Sequence, residues 1–227
     1  YKIASPQAQG HLDIVKKAAG TGKPLIISMG YCRYQDITRV IEVCLNAGNE
    51  QIIPLHCISK YPTEPRETNL RFLTTLSEMT GYSCGFSDHS LGITLPLAAV
   101  AMGACVIEKH VTTDRSLSGP DHHFALTFEE FGKMTTGIRD VEIALGSGER
   151  DVLLPEEEEL REWVRLKAFA CRDISAGEKL SVNDVKYLRS TIDGIPRDEK
   201  DRIFNSVAKT DIQSGALLQW TNLEEIV

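Results

Sequence analysis

The sequence predicts an α/β protein in which repeated βα units form a parallel sheet, followed by a small β-rich domain. Short apolar runs alternate with helical patterns along residues 1–148, which is typical of parallel strands joined by helices. Runs such as Leu25-Ile26-Ile27 have no polar face, as strands that are covered on both sides require. After residue 148 this alternation stops, and a turn motif is repeated instead.

The elements follow one another in regular order. Strands are predicted over residues 2–4, 25–28, 51–57, 84–87 and 105–110. Helices are predicted over residues 8–19, 34–47, 69–80, 92–102 and 128–145. Each helix ends at a glycine that can leave the helical conformation: Gly20, Gly48, Gly81, Gly103 and Gly146. Thr127 and Glu130 form a capping box at the start of the last helix.

A (β/α)8 (TIM) barrel is favoured over an open, doubly wound sheet. Polar residues collect at the carboxyl ends of the predicted strands, where both folds bind their ligands. The glycine-rich phosphate turn of a dinucleotide-binding sheet is absent from the sequence. Closure needs eight units and five are visible. We therefore expect residues 1–148 to hold the last five units of a barrel that the intact protein closes.

Residues 166–227 form the predicted small domain, joined to the barrel by a linker over residues 149–165. The acidic run 156–159 in the linker is typical of the solvated start of a helix. The domain contains two copies of the motif Asp-Ile-x-x-Gly-x-x-Leu, at residues 173–180 and 211–218. A domain of about 60 residues is close to the lower limit for independent stability, so contact with another subunit is expected to help it.

Composition and charge argue against several classes of protein. The chain has 25 basic and 32 acidic residues and a net charge of −7, which argues against nucleic acid as a partner. No apolar run reaches the ~18 residues of a membrane span, and no secretory signal is visible. Most of the cysteines lie in apolar segments without a C-x-x-C pair, as reduced thiols do. We expect a cytoplasmic protein with no membrane partner.

Two histidines, His89 and His110, follow neighbouring predicted strands and can meet at one edge of the sheet. Neutral imidazole is a good ligand for a divalent metal. Asp88, Glu108 and Asp121 offer oxygen ligands or partners for the second imidazole nitrogen. The alternative interpretation, that both histidines are structural, stays open at this point.

A set of basic and hydroxyl side chains at the strand ends suggests an anion site. Its members are Lys2, Lys109, Ser5, Ser28 and Ser87. Such groups hold phosphate or carboxylate through charge-assisted hydrogen bonds. Ordinary loop polarity is the alternative.

Asp121 and Cys57 each have a catalytic interpretation and a simpler structural one. Asp121, in the stiff turn 118–123, suits a general acid or base, and the turn also suits a cap for the helix that follows. Cys57 beside His56 suggests a thiol nucleophile, but a small buried residue on a core strand is the favoured interpretation.

Several ordered segments carry a family resemblance. The strongest are Gly-Phe-Ser-Asp-His-Ser-Leu-Gly-Ile at 85–93, Val-Ile-Glu-Lys-His-Val-Thr at 106–112 and Gly-Pro-Asp-His at 119–122. Others lie at residues 2–5, 23–28, 55–62 and 69–71. They resemble the N-acetylneuraminate (sialic acid) synthase family, including its legionaminate and pseudaminate relatives. The repeated turn motif resembles the SAF (antifreeze-like) domain of that family.

The resemblance implies a (β/α)8 barrel followed by a SAF domain, and it also implies an activity. Members of the family condense phosphoenolpyruvate with an open-chain N-acetylated amino sugar, such as N-acetylmannosamine or a related hexosamine. The products are a nonulosonic acid and phosphate. A divalent metal, typically Mn²⁺ with Mg²⁺ or Co²⁺ as alternatives, is assigned by the resemblance to His89 and His110.

The remaining roles also follow from the resemblance. Phosphoenolpyruvate contacts fall on Lys2, Ser5, Ser28, Ser59 and Ser87. Sugar-side or catalytic roles fall on Tyr61, Glu108 and Asp121. Arg189 matches the SAF-domain arginine that enters the active site of a partner subunit in a domain-swapped homodimer.

Departures from the family pattern leave the sugar open. Met29 stands where the family usually has threonine, Pro6-Gln7 replaces a Gly-acid pair after Ser5, and the residues after Arg189 differ. Two alternatives remain: a synthase acting on another sugar aldehyde, such as arabinose 5-phosphate, and a catalytically dead sugar-binding homologue. The repeated motif argues against the former, because such synthases lack a SAF domain.

Overall fold

Five parallel strands form one sheet in the first part of the chain. They are β1 Lys2–Ile3, β2 Leu25–Ser28, β3 Ile52–Cys57, β4 Gly85–Asp88 and β5 Ile107–Lys109. Their order in the sheet is β1–β2–β3–β4–β5, with every neighbouring pair parallel. A barrel keeps strands in sequence order, whereas a doubly wound sheet reverses that order at a switch point. The predicted barrel-type topology is therefore confirmed.

The computed structural model describes residues 1–226, without the side chain of Glu162, and divides into two units. The first unit is Tyr1–Gly148, and the second begins at Glu149. The helices of the first unit are α1 Ser5–Gly10, α2 Leu12–Ala19, α3 Tyr34–Asn46, α4 Pro65–Thr68, α5 Phe72–Thr80, α6 Thr94–Ala101 and α7 Phe128–Leu145. No helix within residues 1–226 is both long enough and apolar enough to cross a membrane.

The helices pack on one face of the sheet and leave the carboxyl ends of the strands open. Ile3 and Ile27 of the sheet share a buried cluster with Val15 of α2 and with Ile37 and Val40 of α3. These side chains recur at helical spacing along α3, which is why that segment is helical with one apolar stripe. The polar side chains at the ends of the strands are thus held by a rigid apolar support.

One helix that the sequence predicts as single is divided, and another begins three residues later than predicted. Residues 8–19 belong to α1 and α2, which meet at His11, where φ of −130° and ψ of 63° leave the helical region. Gly10, just before it, has a low helix propensity. Residues 69–80 yield only α5, because Asn69 adopts a left-handed φ of 49° after α4.

The loop after β5 is closed by a second, short pairing. Strand β6 Val111–Thr112 runs parallel to β7 Leu126–Thr127. Strand β7 leads directly into α7, where Thr127 Oγ1 accepts from the backbone N–H of Glu130, as the capping box requires. The loop between the two short strands carries Asp121 back toward the sheet.

The second unit begins with α8 Pro155–Val164 and continues as a small β-rich body. It contains β8 Leu166–Ala170, β9 Val185–Arg189, α9 Lys200–Phe204, β10 Ser206–Ala208 and β11 Leu223–Glu225. The two copies of the repeated motif meet, because Ile174 and Ile212 form an antiparallel bridge. Gly177 and Gly215 both adopt left-handed φ, at 81° and 82°, which glycine does without strain. The β-rich prediction is confirmed.

All six cysteines are free thiols. Burial raises the pKa of Cys32, Cys44 and Cys84 to about 11. These three thiols therefore stay protonated at neutral pH and are poor nucleophiles.

Asp184 is expected to make the second unit sensitive to acid. Its buried carboxylate accepts hydrogen bonds from Ser181 Oγ at 2.6 Å, the Ser181 N–H at 2.8 Å and Arg172 Nε at 2.7 Å. These bonds, chiefly that from the Ser181 hydroxyl, lower the pKa of Asp184. A carboxyl whose pKa is lower in the folded state stabilises the fold above its unfolded pKa of ~4. That stabilisation is lost as the pH falls through the folded value.

The measurement is urea unfolding between neutral and acid pH, followed by tryptophan fluorescence, because both tryptophans, Trp163 and Trp220, lie in this unit. We expect the Asp184→Asn variant to be less stable than wild type at pH 7 and to lose less stability below about pH 4. Asp151→Asn, at an exposed position, is the control and should follow wild type. If the stability of wild type and of Asp184→Asn changed with pH in the same way, Asp184 would not be the source of the acid sensitivity.

Candidate active site at the carboxyl edge of the sheet

A cavity of about 160 Å³ lies at the carboxyl ends of the five strands. Its lining includes the predicted site residues Lys2, Ser5, Ser28, Tyr61, Ser87, His89, Glu108 and His110. They come from four strands and the loops that follow, so only the parallel sheet brings them together. This is the edge on which barrel enzymes build their active sites.

Strand alternation decides which side chains reach the cavity. Ser87 and Glu108 are register partners on β4 and β5, and His89 and His110 lie two residues further along. Residues two apart on a strand share a face. The histidine pair and the Ser87–Glu108 pair therefore open on the same side of the sheet.

His89 and His110 stand next to each other, with ring centroids 5.3 Å apart. His89 Nδ1 donates to the carbonyl oxygen of Ile58 at 2.7 Å, because a carbonyl can only accept. His110 Nδ1 lies 3.6 Å from Asp121 Oδ2. The hydrogen bond of His89 thus leaves its Nε2 lone pair free, the arrangement that metal-binding histidines use, and the carboxylate near His110 Nδ1 favours the same tautomer there.

Both imidazoles are in their neutral, metal-binding form at neutral pH. Burial lowers the pKa of His89, and burial together with the neighbouring His89 lowers that of His110. Within the described residues, no cluster of three or more histidine, cysteine or acidic side chains is assembled for a metal. Two imidazoles with free lone pairs fit a divalent cation whose remaining positions are left open for substrate or water.

Aromatic rings pack against the two histidines. The ring of Tyr61 lies 4.1 Å from that of His89 and 5.8 Å from that of His110, and Phe124 lies 4.9 Å from His110. Burial raises the pKa of Tyr61, so its hydroxyl keeps its proton and can donate a hydrogen bond. The imidazoles are held in orientation by packing as well as by hydrogen bonds.

Donors on the other side of the cavity converge on the Glu108 carboxylate. Ser87 Oγ donates to Oε1 at 2.7 Å and Ser28 Oγ donates to the same oxygen at 3.4 Å. Lys2 Nζ lies 3.3 Å from Oε2. Because these three groups already hold one carboxylate, their chemistry suits an anionic ligand in the same cavity.

A second group of donors surrounds Gly30, in the loop after β2. The Gly30 N–H donates to Ser5 Oγ at 3.0 Å. A Cβ at Gly30 would stand 2.2 Å from Ser59 Oγ and 2.7 Å from Ser5 Oγ, so only glycine admits both hydroxyls. Ser59 Oγ is buried and has no hydrogen-bond partner among the described residues. A buried hydroxyl without a partner costs free energy unless a ligand supplies one, so this orphan favours an anion site here.

The prediction that Lys109 belongs to the anion site is wrong. Its Nζ lies 2.5 Å from Asp88 Oδ2, and both side chains are 1% exposed. Side chains alternate between the two faces of the sheet along each strand, and Asp88 and Lys109 each lie between two residues that line the cavity. Both therefore face away from the cavity. For the same reason Asp88 is not available as an oxygen ligand beside His89.

Besides Lys109 and Asp88, three predicted residues lie outside the cavity lining. Ser59 lies beside Gly30, as does Ser5 of the cavity lining, and Asp121 is beside His110. Arg189 ends β9 in the second unit, where its guanidinium lies 5.2 Å from the ring of Trp163.

Comparison with known proteins identifies the architecture. The NeuB family model matches residues 1–150 and the SAF domain model matches residues 168–224. An N,N'-diacetyllegionaminic acid synthase of Legionella pneumophila is 39% identical over 88% of this chain and 57% of its own length. A pseudaminic acid synthase of Campylobacter jejuni is 35% identical over 96% of this chain and 63% of its own. The chain thus spans about three-fifths of these relatives.

Solved structures of similar proteins agree with the sequence comparison. An N-acetylneuraminic acid (sialic acid) synthetase from Leptospira borgpetersenii, in complex with citrate, is 34% identical. It superposes with a TM-score of 0.64 over 70% of this chain and 55% of its own. The spore coat polysaccharide biosynthesis protein of Bacillus subtilis is 30% identical, with a TM-score of 0.62 over 100% of this chain and 68% of its own.

Proposed function

The chain belongs to the NeuB family, and from that premise we propose that the protein is a synthase that condenses phosphoenolpyruvate with an open-chain N-acetylated amino sugar. The products are a nonulosonic, sialic-type acid and phosphate. The observation that carries the proposal is that two adjacent imidazoles and a set of basic and hydroxyl side chains line one cavity. One substrate is an anion and the other is an aldehyde that needs activation.

The anion side of the cavity binds phosphoenolpyruvate. Lys2 and the hydroxyls of Ser28 and Ser87 provide one set of donors, and Ser5 and Ser59 provide the other. Two separate sets suit a substrate with two anionic groups, a carboxylate and a phosphate. Donors that are already in place when the phosphate departs stabilise the developing charge without reorganisation.

The histidine side of the cavity receives the aldehyde. His89 and His110 would hold a divalent cation, in the first instance Mn²⁺, with Mg²⁺ or Co²⁺ as alternatives. When bound, such a cation polarises a carbonyl oxygen as a Lewis acid. Asp121 would support His110 from behind, and Tyr61 would close this side toward the sugar. Orienting both substrates in this way can supply ~7–11 kcal/mol of the barrier reduction.

During the reaction the aldehyde oxygen must gain a proton, and the attacking water must lose protons. The methylene carbon of phosphoenolpyruvate attacks the aldehyde carbon, whose oxygen must then gain a proton. Water adds to the resulting cation and must lose a proton before the tetrahedral intermediate expels phosphate. The carboxylates of Glu108 and Asp121 lie at this edge of the sheet and are our candidates for the acid and base.

A second copy of the chain would complete the site. In the proposed domain-swapped homodimer, Arg189 reaches the cavity of the partner subunit and binds the anionic substrate or the sugar. Its contact with Trp163 supports this role, because stacking on an aromatic ring holds a guanidinium without occupying its hydrogen-bond donors.

The test is phosphate release from phosphoenolpyruvate by the full-length natural protein with Mn²⁺. Acceptors should include N-acetylmannosamine, other N-acetylated hexosamines and arabinose 5-phosphate. We expect turnover with an N-acetylated hexosamine, loss of turnover on chelation and recovery when Mn²⁺ is returned. Turnover with arabinose 5-phosphate alone would favour the alternative synthase. Binding of a sugar without any turnover would favour a catalytically dead homologue.

Replacing Glu108 with glutamine should lower kcat by roughly 10²–10⁴-fold, the usual contribution of a general acid or base. The amide keeps an oxygen that accepts from Ser87 but cannot exchange a proton with the reacting atoms. Glu108 is partly exposed, so the thermal midpoint should change little. Steady-state kinetics and thermal unfolding measure the two effects, with the exposed Glu50→Gln as the matched control. An unchanged kcat would remove Glu108 from the catalytic groups.

A further inference from the structure

A buried ion pair lies on the opposite face of the strands that carry the histidines. Asp88 and Lys109 are register partners on β4 and β5, and each stands immediately before one of the two histidines. Lys109 Nζ lies 2.5 Å from Asp88 Oδ2, and each side chain is 1% exposed. The pair is therefore one residue away from the cavity on both strands but cannot touch a ligand in it.

The pair also binds the backbone that follows His89. Asp88 Oδ1 accepts from the Ser90 N–H at 2.8 Å, and Lys109 Nζ donates to the Ser90 carbonyl oxygen. From the other side, the N–H of Thr63 donates to the carbonyl oxygen of His89 at 3.0 Å. The peptide that carries His89 is thus held between Thr63, in the segment after β3, and Lys109 on β5.

Stability alone does not account for two charges at this place. Desolvation of a buried pair offsets much of its Coulomb attraction, and apolar side chains of similar volume often stabilise a protein as well or better. An apolar pair would not bind both backbone groups of Ser90, however. The hydrogen-bonded charges fix the position of the β4 end relative to β5, which simple packing leaves freer.

We propose that Asp88 and Lys109 are positioning residues that set the separation of His89 and His110 for a shared divalent cation. This inference rests on the proposed function, since it assumes that the two imidazoles bind one cation. It assigns to Lys109 a role that differs from anion binding, which the sequence had suggested. Groups that orient metal ligands from behind typically change metal affinity by 10–100-fold when they are removed.

The experiment measures Mn²⁺ binding to the full-length natural protein by electron paramagnetic resonance and Co²⁺ binding by visible absorption. The variants are Lys109→Met, Asp88→Asn and the double variant. We expect each to bind Mn²⁺ about 10–100-fold more weakly than wild type and to change the Co²⁺ spectrum. The double variant leaves no uncompensated buried charge, so it carries the test where a single variant fails to fold.

The control for a general loss of stability is Asp184→Asn. It breaks a different ion pair, between Asp184 and Arg172 in the second unit. That variant should keep wild-type Mn²⁺ affinity. A folded double variant with wild-type Mn²⁺ affinity and Co²⁺ spectrum overturns the inference and leaves the proposed function standing. A wild-type protein that binds no Mn²⁺ overturns the metal assignment in the proposed function, and this inference with it.

Discussion

His89→Ala is expected to abolish tight Mn²⁺ binding and to lower the turnover of phosphoenolpyruvate by roughly 10³-fold or more. Lewis-acid activation of a carbonyl is worth several kcal/mol, and each 1.36 kcal/mol corresponds to about tenfold in rate. The substitution removes one of the two imidazoles whose centroids are 5.3 Å apart, and the described residues assemble no cluster of three or more potential ligands that could replace it. His110→Ala should behave in the same way.

The measurement pairs metal content with steady-state kinetics. His11→Ala is the matched control, since His11 is exposed and does not line the cavity. Binding of phosphoenolpyruvate alone, measured by calorimetry, should survive in His89→Ala, because the anion donors lie on other residues. Wild-type metal content and turnover in His89→Ala would mean that the two histidines are structural.

The sheet could be predicted because each buried parallel strand is visible as a short apolar run. Strand β2 was predicted residue for residue over 25–28, and the start of β3 differed by one residue. The polar residues that follow these runs had to meet, since a parallel sheet places all its carboxyl ends at one edge. Convergence of His89 and His110 therefore follows from topology, without any metal motif in the spacing.

Lys109 shows where this reasoning failed. It stands between two cavity residues in sequence, and the prediction grouped it with them. Alternation along a strand places neighbours on opposite faces, so a correct assignment of His110 to the cavity excludes Lys109 from it. The signal was present, but the prediction used adjacency in sequence where the period of the strand decides.

The roles of Gly30 and Phe124 could not be predicted from the sequence, for a different reason. Gly30 matters because the start of α1 and the loop after β3 bring two serines against it, a contact between segments that are distant in sequence. Phe124 supports His110 through ring packing that depends on the path of the loop between β6 and β7. No spacing in the sequence reports either contact.

Gly30→Ala should weaken the binding of phosphoenolpyruvate by roughly 10²-fold while the fold survives. The new methyl carbon would stand 2.2 Å from Ser59 Oγ and 2.7 Å from Ser5 Oγ, which no packing tolerates. Overpacking of this kind typically costs 1–3 kcal/mol. The least costly relief is rotation of the two hydroxyls away from the glycine, and that rotation removes the donors proposed for the anion.

The effect should therefore appear in the KM for phosphoenolpyruvate and leave Mn²⁺ affinity close to wild type. Gly10→Ala is the matched control, because a Cβ there meets nothing within 4 Å. If Gly30→Ala binds phosphoenolpyruvate as wild type does, the two serines do not hold the anion. The site would then have to rely on the donors around Glu108 alone. If Mn²⁺ affinity falls with it, the two halves of the cavity are coupled and cannot be assigned to separate substrates.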